Sequence, residues 1–159
     1  MLMKLVKHTK TLQATGLMLF ALGCHAEPVG GPEYTVITQA QLNSFSGKAI
    51  YSTENFVYVG ELKAGKRHGY GVSYGKGSSV IAGQWQNDKL QGEAVMVDLA
   101  ANSVSAGDYE QDFMVGTGAL TMGEDVVVGE YKSDSPMPLD PTCYKAGSEI
   151  PCKESELFK

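Results

Sequence analysis

Apolar and polar residues alternate regularly along the segment from residue 47 to residue 132. In Phe56–Lys63, one face of the extended chain carries aromatic residues, glycine and leucine, and the other carries valine and charged residues. This period of two, with its β-branched and aromatic residues, predicts a β-strand. Short polar segments at 52–55, 75–79, 100–103 and 122–125 separate such strands. The pattern therefore predicts a β-hairpin that is repeated four times.

Glycine recurs with a regular spacing along the same segment. One set of glycines opens a G-x-[G/A] motif, another lies at the centre of an apolar-x-Gly-x-large motif, and both recur every 22 to 24 residues. Because glycine weakens a strand unless a close approach requires it, we expect large rings to lie over the bare backbone there. The recurring motif positions are Tyr58, Gly60, Gly69, Gly71, Gly83, Trp85, Gly92, Gly107, Tyr109, Gly116, Gly118, Gly129 and Tyr131.

The segment 58–71, YVGELKAGKRHGYG, resembles the repeat of the MORN family (membrane occupation and recognition nexus), whose pattern is Y-x-G-x-[W/L]-x-x-G-x-x-x-G-x-G. Segments 81–94 and 105–118 match more loosely: Asp88 replaces the middle glycine of the former, and the latter has lost the middle glycine and the lysine. The resemblance implies an all-β fold, a single elongated and twisted antiparallel sheet of about four stacked hairpins. It also implies a surface that binds proteins or self-assembles.

The first 26 residues have the features of an export signal. Three lysines without any acidic residue precede an apolar stretch that is densest at 17–22, and the sequence Cys24-His25-Ala26 follows. This order is typical of a secretory signal peptide, which we predict to be cut after Ala26 to give a periplasmic protein. The alternative is lipid attachment at Cys24, because residues 21–24 resemble a bacterial lipobox; the product would then be a lipoprotein anchored at the cell envelope.

The two remaining cysteines, Cys143 and Cys152, lie close together near the C-terminus. An even number of cysteines in an exported chain predicts a disulfide, and the spacing is not that of a zinc site. Pro136 and Pro138 are expected to stop the last repeat, since proline cannot donate to a sheet ladder. The predicted organisation is a signal peptide at 1–26, an N-terminal linker or cap at 27–46, the repeat domain at 47–132 and a disulfide-closed cap at 133–159.

Composition narrows the classes of function. The chain has 19 glycines in 159 residues without a G-X-Y period, and 43% hydrophobic residues, which excludes collagen and a disordered chain. The formal net charge of −5 argues against nucleic acid as a partner. After removal of the signal peptide, His68 is the one remaining histidine, and it stands where the MORN pattern itself carries histidine. We therefore expect no enzyme activity, no cofactor and no metal.

The charged residues suggest two kinds of partner. The segment 60–92 has a net charge of +3 and the segment 93–140 a net charge of −9, which predicts salt-sensitive head-to-tail association with a second copy. An acidic surface whose charge pattern has no role in binding is the other interpretation of this pattern. The family resemblance implies another envelope protein, or self-assembly, as the partner. The alternative is an anionic membrane surface, which the family's name also indicates. The candidate binding residues for either partner are the basic residues of the first repeat, Lys63, Lys66, Arg67 and Lys76.

Overall fold

The computed structural model describes residues 33–158. The predicted signal peptide with Cys24, and the first part of the predicted linker, lie outside these residues. Within them, eleven strands form one sheet, and their order across the sheet is the same as their order along the chain. The predicted all-β fold and single sheet are confirmed. No helix within the described part of the chain is long and apolar enough to cross a membrane.

The sheet is antiparallel except at its first edge. There β1 pairs in parallel with β2, because the short helix α1 (Gln39–Leu42) carries the chain back between them. The strands are β1 (Thr35–Ile37), β2 (Gly47–Ser52), β3 (Phe56–Lys63), β4 (Lys66–Gly75), β5 (Ser79–Gln86), β6 (Lys89–Asp98), β7 (Ser103–Glu110), β8 (Phe113–Met122), β9 (Asp125–Tyr131), β10 (Leu139–Lys145) and β11 (Ser148–Ile150).

The two predicted glycine motifs form one row across the sheet. The registers of neighbouring strands align the last residue of each G-x-[G/A] motif with the central glycine of each apolar-x-Gly-x-large motif, on one line from β2 to β9. We call this line the glycine row; it consists of Ala49, Gly60, Gly71, Gly83, Ala94, Gly107, Gly118 and Gly129. The Tyr58 ring lies over Gly60 and Gly71, as the sequence pattern predicts.

The face of the sheet that carries the glycine row contains the core, and we call it the core face. Large side chains on either side of the row lie along the sheet and cover it, and the segment around α1 packs against the first strands. Burial raises the pKa of Tyr58 to about 12, and its hydroxyl donates a hydrogen bond to the Glu61 carbonyl oxygen. The buried apolar residues are Ile37, Ala49, Tyr51, Tyr58, Leu62, Trp85, Leu90, Ala94, Tyr109, Val127, Tyr131 and Cys143.

The C-terminal segment adds two strands to the sheet that the sequence pattern did not predict; β9 itself ends at Tyr131, before Pro136 and Pro138. After these prolines, β10 resumes pairing with β9, and Pro141 lies at a register shift where proline is tolerated. The predicted disulfide between Cys143 and Cys152 is present and ties the chain after β11 back to β10.

A buried carboxylate fixes the end of the chain. The side chain of Asp125 is almost fully buried and accepts a hydrogen bond of 2.6 Å from the Glu156 backbone N–H. That bond, assisted by Ser155 and by Lys145 at 3.5 Å, lowers the pKa of Asp125 below its usual value. The last helical turn, Glu156–Phe158, is thereby held against β9, whereas the preceding turn, Cys152–Glu154, contacts β10.

We predict that Gly60→Ala destabilises the protein by about 1–3 kcal/mol, because the added methyl group would overpack a filled core. A Cβ at this position would lie 2.5 Å from Gly71 Cα and 2.6 Å from the Tyr58 hydroxyl oxygen. The matched control is Gly75→Ala, whose Cβ would meet no atom closer than 3.5 Å. Urea unfolding of both variants measures the difference; equal stability would contradict the role of the glycine row.

We predict that acid releases the C-terminal turns before the rest of the sheet unfolds. The folded-state pKa of Asp125 is lowered, so its stabilising effect is present above the unfolded-state value of about 3.9 and is lost as the pH falls through the folded-state value. Hydrogen exchange of residues 152–158 between neutral and acidic pH measures this release. In Asp125→Asn the turns should already exchange fast at neutral pH, whereas Glu124→Gln should behave as the parent; a slow Asp125→Asn would contradict the assignment.

Candidate interaction surface

Three hairpin turns line one end of the long strands. The turns at 64–65, 87–88 and 111–112 each have two central residues with positive φ, the conformation of a type I′ turn. In the second and third turns an aspartate occupies the second position, where the first turn has Gly65. Asp88 Oδ1 accepts the backbone N–H of Arg67 at 2.8 Å, and Asp112 Oδ1 accepts that of Leu90 at 2.7 Å. Each aspartate therefore links its own hairpin to the preceding one.

Arg67 is fixed within this arrangement. Its guanidinium lies 3.8 Å from the centroid of the Trp85 ring, and it pairs with Asp88 through Nε at 3.3 Å and through the backbone carbonyl oxygen at 2.7 Å. The Trp85 indole N–H in turn donates to the Gly71 carbonyl oxygen. Arg67 thus stabilises the contact between two repeats, and its charge is compensated by Asp88.

The basic residues of the first repeat do not form one patch. Lys63 and Lys66 face each other across the β3–β4 hairpin, next to Arg67. Lys76 follows the far end of β4, which is ten residues long and so spans roughly 30 Å. The structure therefore brings three of the four candidate residues together and separates Lys76 from them. Of the three, Lys63 and Lys66 are exposed.

His68 is held inside the first repeat. It pairs with Glu61 across the β3–β4 ladder next to the register shift. Its Nδ1 atom is buried, and it has no hydrogen-bond partner within residues 33–158. The side chain is half-buried, in line with the structural role that its place in the repeat predicts.

The face opposite the core carries two parallel apolar rows, and we call them together the open strip. The strand registers align each row across the sheet. The first row consists of Val36, Ile50, Val59, Val72, Ala82, Val95, Ala106, Ala119, Val128 and Thr142. The second row consists of Val57, Tyr74, Val80, Val97, Val104, Thr121, Val126 and Tyr144. All of these side chains are half-buried or exposed, since no other element of residues 33–158 covers this face.

A polar row borders the open strip on the side of the aspartate turns. It includes three carboxylates, Glu93 on β6, Asp108 on the neighbouring β7 and Glu130 on β9. Grooves of about 470 Å³ and about 310 Å³ follow the strip there, and both are lined by Tyr70 and Ala82. An apolar floor with an acidic border is a surface that a partner with apolar and basic side chains would complement.

Sequence reasoning missed both the aspartate links and the open strip. Asp88 reads as a departure from the repeat pattern, although aspartate tolerates positive φ and can accept a neighbouring N–H. The signal for the open strip was the valine on the second face of each predicted strand, such as Val57 and Val59 in β3. Only the strand register shows that these valines form continuous rows.

We predict that Asp88→Gly, which restores the glycine of the repeat pattern, lowers the stability of the protein by about 1 kcal/mol, the net cost of losing partly exposed charge-assisted hydrogen bonds. Because Trp85 is the one tryptophan of the chain, release of Arg67 from its ring should also change the intrinsic fluorescence. Asp88→Asn, which keeps an acceptor oxygen and tolerates positive φ, is the control. A stabilised Asp88→Gly with unchanged fluorescence would show that the link is unimportant.

The family comparison matches the segment that forms these structures. The family model described as MORN repeat matches residues 58–79 and 82–98, from β3 to β6. No curated protein matches the chain at a significant level. MORN repeats are generally involved in protein–protein or membrane interactions. The match, the glycine row and the hairpin order agree: residues 58–79 and 82–98 of this chain are MORN repeats.

Proposed function

We propose that this protein is an exported, non-enzymatic interaction module of the bacterial envelope, and that a protein partner docks on the open strip. The observation that carries the proposal is the continuity of the two apolar rows. The first row crosses ten strands, which corresponds to roughly 40 Å along the sheet. An exposed apolar patch of this extent is typical of a site of interaction rather than of a solvated surface.

The exposed side chains on this face have the character of an interface. Val72 and Val95, on β4 and β6 in the first row, are each 44% exposed. Tyr70 and Tyr74 flank Val72 on the same face and are also exposed. Aliphatic side chains gain free energy when they are removed from water, and tyrosine is frequent at the energetic centre of interfaces. A partner that covers this region would therefore bury both types of residue.

The hydrogen-bonded polar groups of the turns and the core support a structural rather than a catalytic use of the sheet. Asp88 and Asp112 each accept a hydrogen bond from a backbone N–H group of the preceding hairpin. Asp125 accepts a hydrogen bond from a backbone N–H group of the last helical turn. The phenol of Tyr58 donates to a backbone oxygen, and that of Tyr109 pairs with the Ser105 hydroxyl. These groups are engaged in holding the fold.

The distribution of basic residues favours a protein over an anionic lipid. Of the four candidate cations, Arg67 is compensated by Asp88, and Lys76 lies at the other end of β4 from Lys63 and Lys66. Two adjacent exposed lysines offer weak attraction to a lipid surface, to which each basic residue contributes about 1 kcal/mol. The acidic segment 93–140 would oppose binding of a membrane along the whole sheet.

Both envelope proteins and a second copy are partners that the strip could bind. The net charge of +3 in 60–92 and of −9 in 93–140 lies in successive parts of the strand order, so a copy bound head to tail would pair opposite charges. Reversal of Arg67 is not a test of such pairing, because it would break the contact with Trp85; Lys66→Glu is the suitable variant.

We predict that the double variant Val72→Asp and Val95→Asp folds normally and loses association, because it places carboxylates on the apolar floor of the strip. Light scattering measures self-association, and capture from an envelope extract with the full chain as bait measures binding of another protein. The control is Ser78→Asp, which adds a carboxylate at an exposed turn away from the strip. Unchanged association in the double variant would refute the proposal.

Flotation with vesicles that contain anionic lipid tests the alternative. If the parent floats, and Lys63→Glu with Lys66→Glu abolishes flotation while the open-strip variant retains it, the membrane is the target. We expect no salt-sensitive flotation.

A further inference from the structure

A groove of about 410 Å³ opens on the core face over β6–β9, on the opposite side of the sheet from the open strip. It lies where the repeat becomes irregular. Ser105 stands at the motif position that Tyr58 occupies in the first repeat and Ile81 in the second. Its register neighbours are Met96 on β6 and Leu120 on β8. The short side chain leaves free volume between them, whereas the Tyr58 ring fills the corresponding place in the first repeat.

The groove has an apolar lining that can adapt to an occupant. Met96, Met114 and Leu120 line it, and Met114 lies over Gly107 and Gly118 of the glycine row. Methionine side chains are flexible and polarisable, so they can rearrange around an inserted group. Phe113, which is 57% exposed, stands at the mouth. A volume in this range is large enough to hold one bulky side chain with its neighbours.

The surroundings of the groove carry negative charge. Asp112 and Asp134 both line it; Asp134 is exposed, and Asp112 also accepts the Leu90 backbone N–H. Lys132 is the one basic residue of the segment 93–140, whose net charge is −9. A cation is therefore favoured at the mouth, where the exposed Phe113 ring could also contact it.

One buried donor in the lining has no partner. Tyr131 lines the groove beside Met114, and its hydroxyl is buried without a hydrogen-bond partner within residues 33–158. A buried donor is unfavourable while it stays unpaired. If Met114 turns aside when the groove is filled, a carbonyl oxygen of a bound peptide could accept this hydrogen bond.

We propose that this groove binds a peptide segment of the partner in which one large apolar side chain stands next to lysine or arginine. The apolar side chain enters between Met96 and Leu120, and the basic neighbour pairs with Asp134 at the mouth. The inference rests on the proposed function only in that the partner is a protein. It assigns a second site, on the other face of the sheet, with its own ligand chemistry.

The test uses the full chain labelled with ¹³C in its methionine methyl groups and the probe peptide acetyl-GKFKG-amide. We expect the Met96 and Met114 methyl signals to shift with the concentration of the peptide and the Met122 signal to stay. The matched peptides are acetyl-GEFEG-amide, which reverses the charge, and acetyl-GKAKG-amide, which removes the ring. Binding of either with the affinity of the probe, or unmoved Met96 and Met114 signals at high probe concentration, would overturn the proposal.

Two variants locate the binding. Leu120→Phe fills the groove and should weaken binding about tenfold or more, whereas Leu99→Phe, on an exposed turn outside the groove, should leave it unchanged. Asp134→Lys changes an exposed position that cannot unfold the core, and it should weaken binding severalfold at low salt. If Leu120→Phe does not fold, Asp134→Lys decides, and an unchanged affinity in it contradicts the proposal. If the peptide does not bind but the open-strip variant loses association, the groove is refuted as a binding site and the proposed function still holds.

Discussion

The close approach of aromatic rings to bare backbone is the contact on which this structure depends. A single sheet has no second layer to bury its apolar face, so its core must be built from side chains that lie flat along the strands. The glycine row allows this: Tyr58 covers Gly60 and Gly71, and Met114 and Tyr131 lie over Gly118. With a methyl group at these positions the rings would stand away from the sheet and expose the strands to water. The cost of glycine in a strand is offset by the burial it permits.

The packing of large side chains against bare backbone also explains why the two faces of the sheet differ. Because the core face buries its large residues against its own backbone, the other face needs no packing partner within residues 33–158 and remains as two uncovered rows. The irregular third repeat then modifies the core face itself, since Ser105 leaves a space that Tyr58 fills elsewhere. The regular part of the repeat thus provides the scaffold, and the departures from the repeat pattern create the groove that is particular to this chain.

Much of the fold could be predicted from the sequence, because alternation and glycine spacing are local signals. The hairpins follow from them, whereas the Cys143–Cys152 disulfide follows from the number and position of the cysteines. The extension of the sheet beyond Pro136 and Pro138 could not be predicted, since whether a strand resumes after a proline depends on a distant partner, here β9. The candidate site was harder to predict than the fold. The four basic residues are close in sequence, but the length of β4 separates Lys76 from the others. The hydrogen bonds made by Asp88 and Asp112 depend on the three-dimensional position of the preceding hairpin.

The identity between strand order and chain order has a consequence for how the protein is assembled. Each strand finds its partner among the residues just made, so the contact order is low and ordering requires little loop-closure entropy. During vectorial synthesis, the first hairpins can pair while later ones are still unstructured, and each completed strand becomes the template for the next. The disulfide joins residues only nine positions apart at the very end. The disulfide can therefore form only after the preceding strands have been made, and it fixes the last strands of a sheet that has grown from its N-terminal edge.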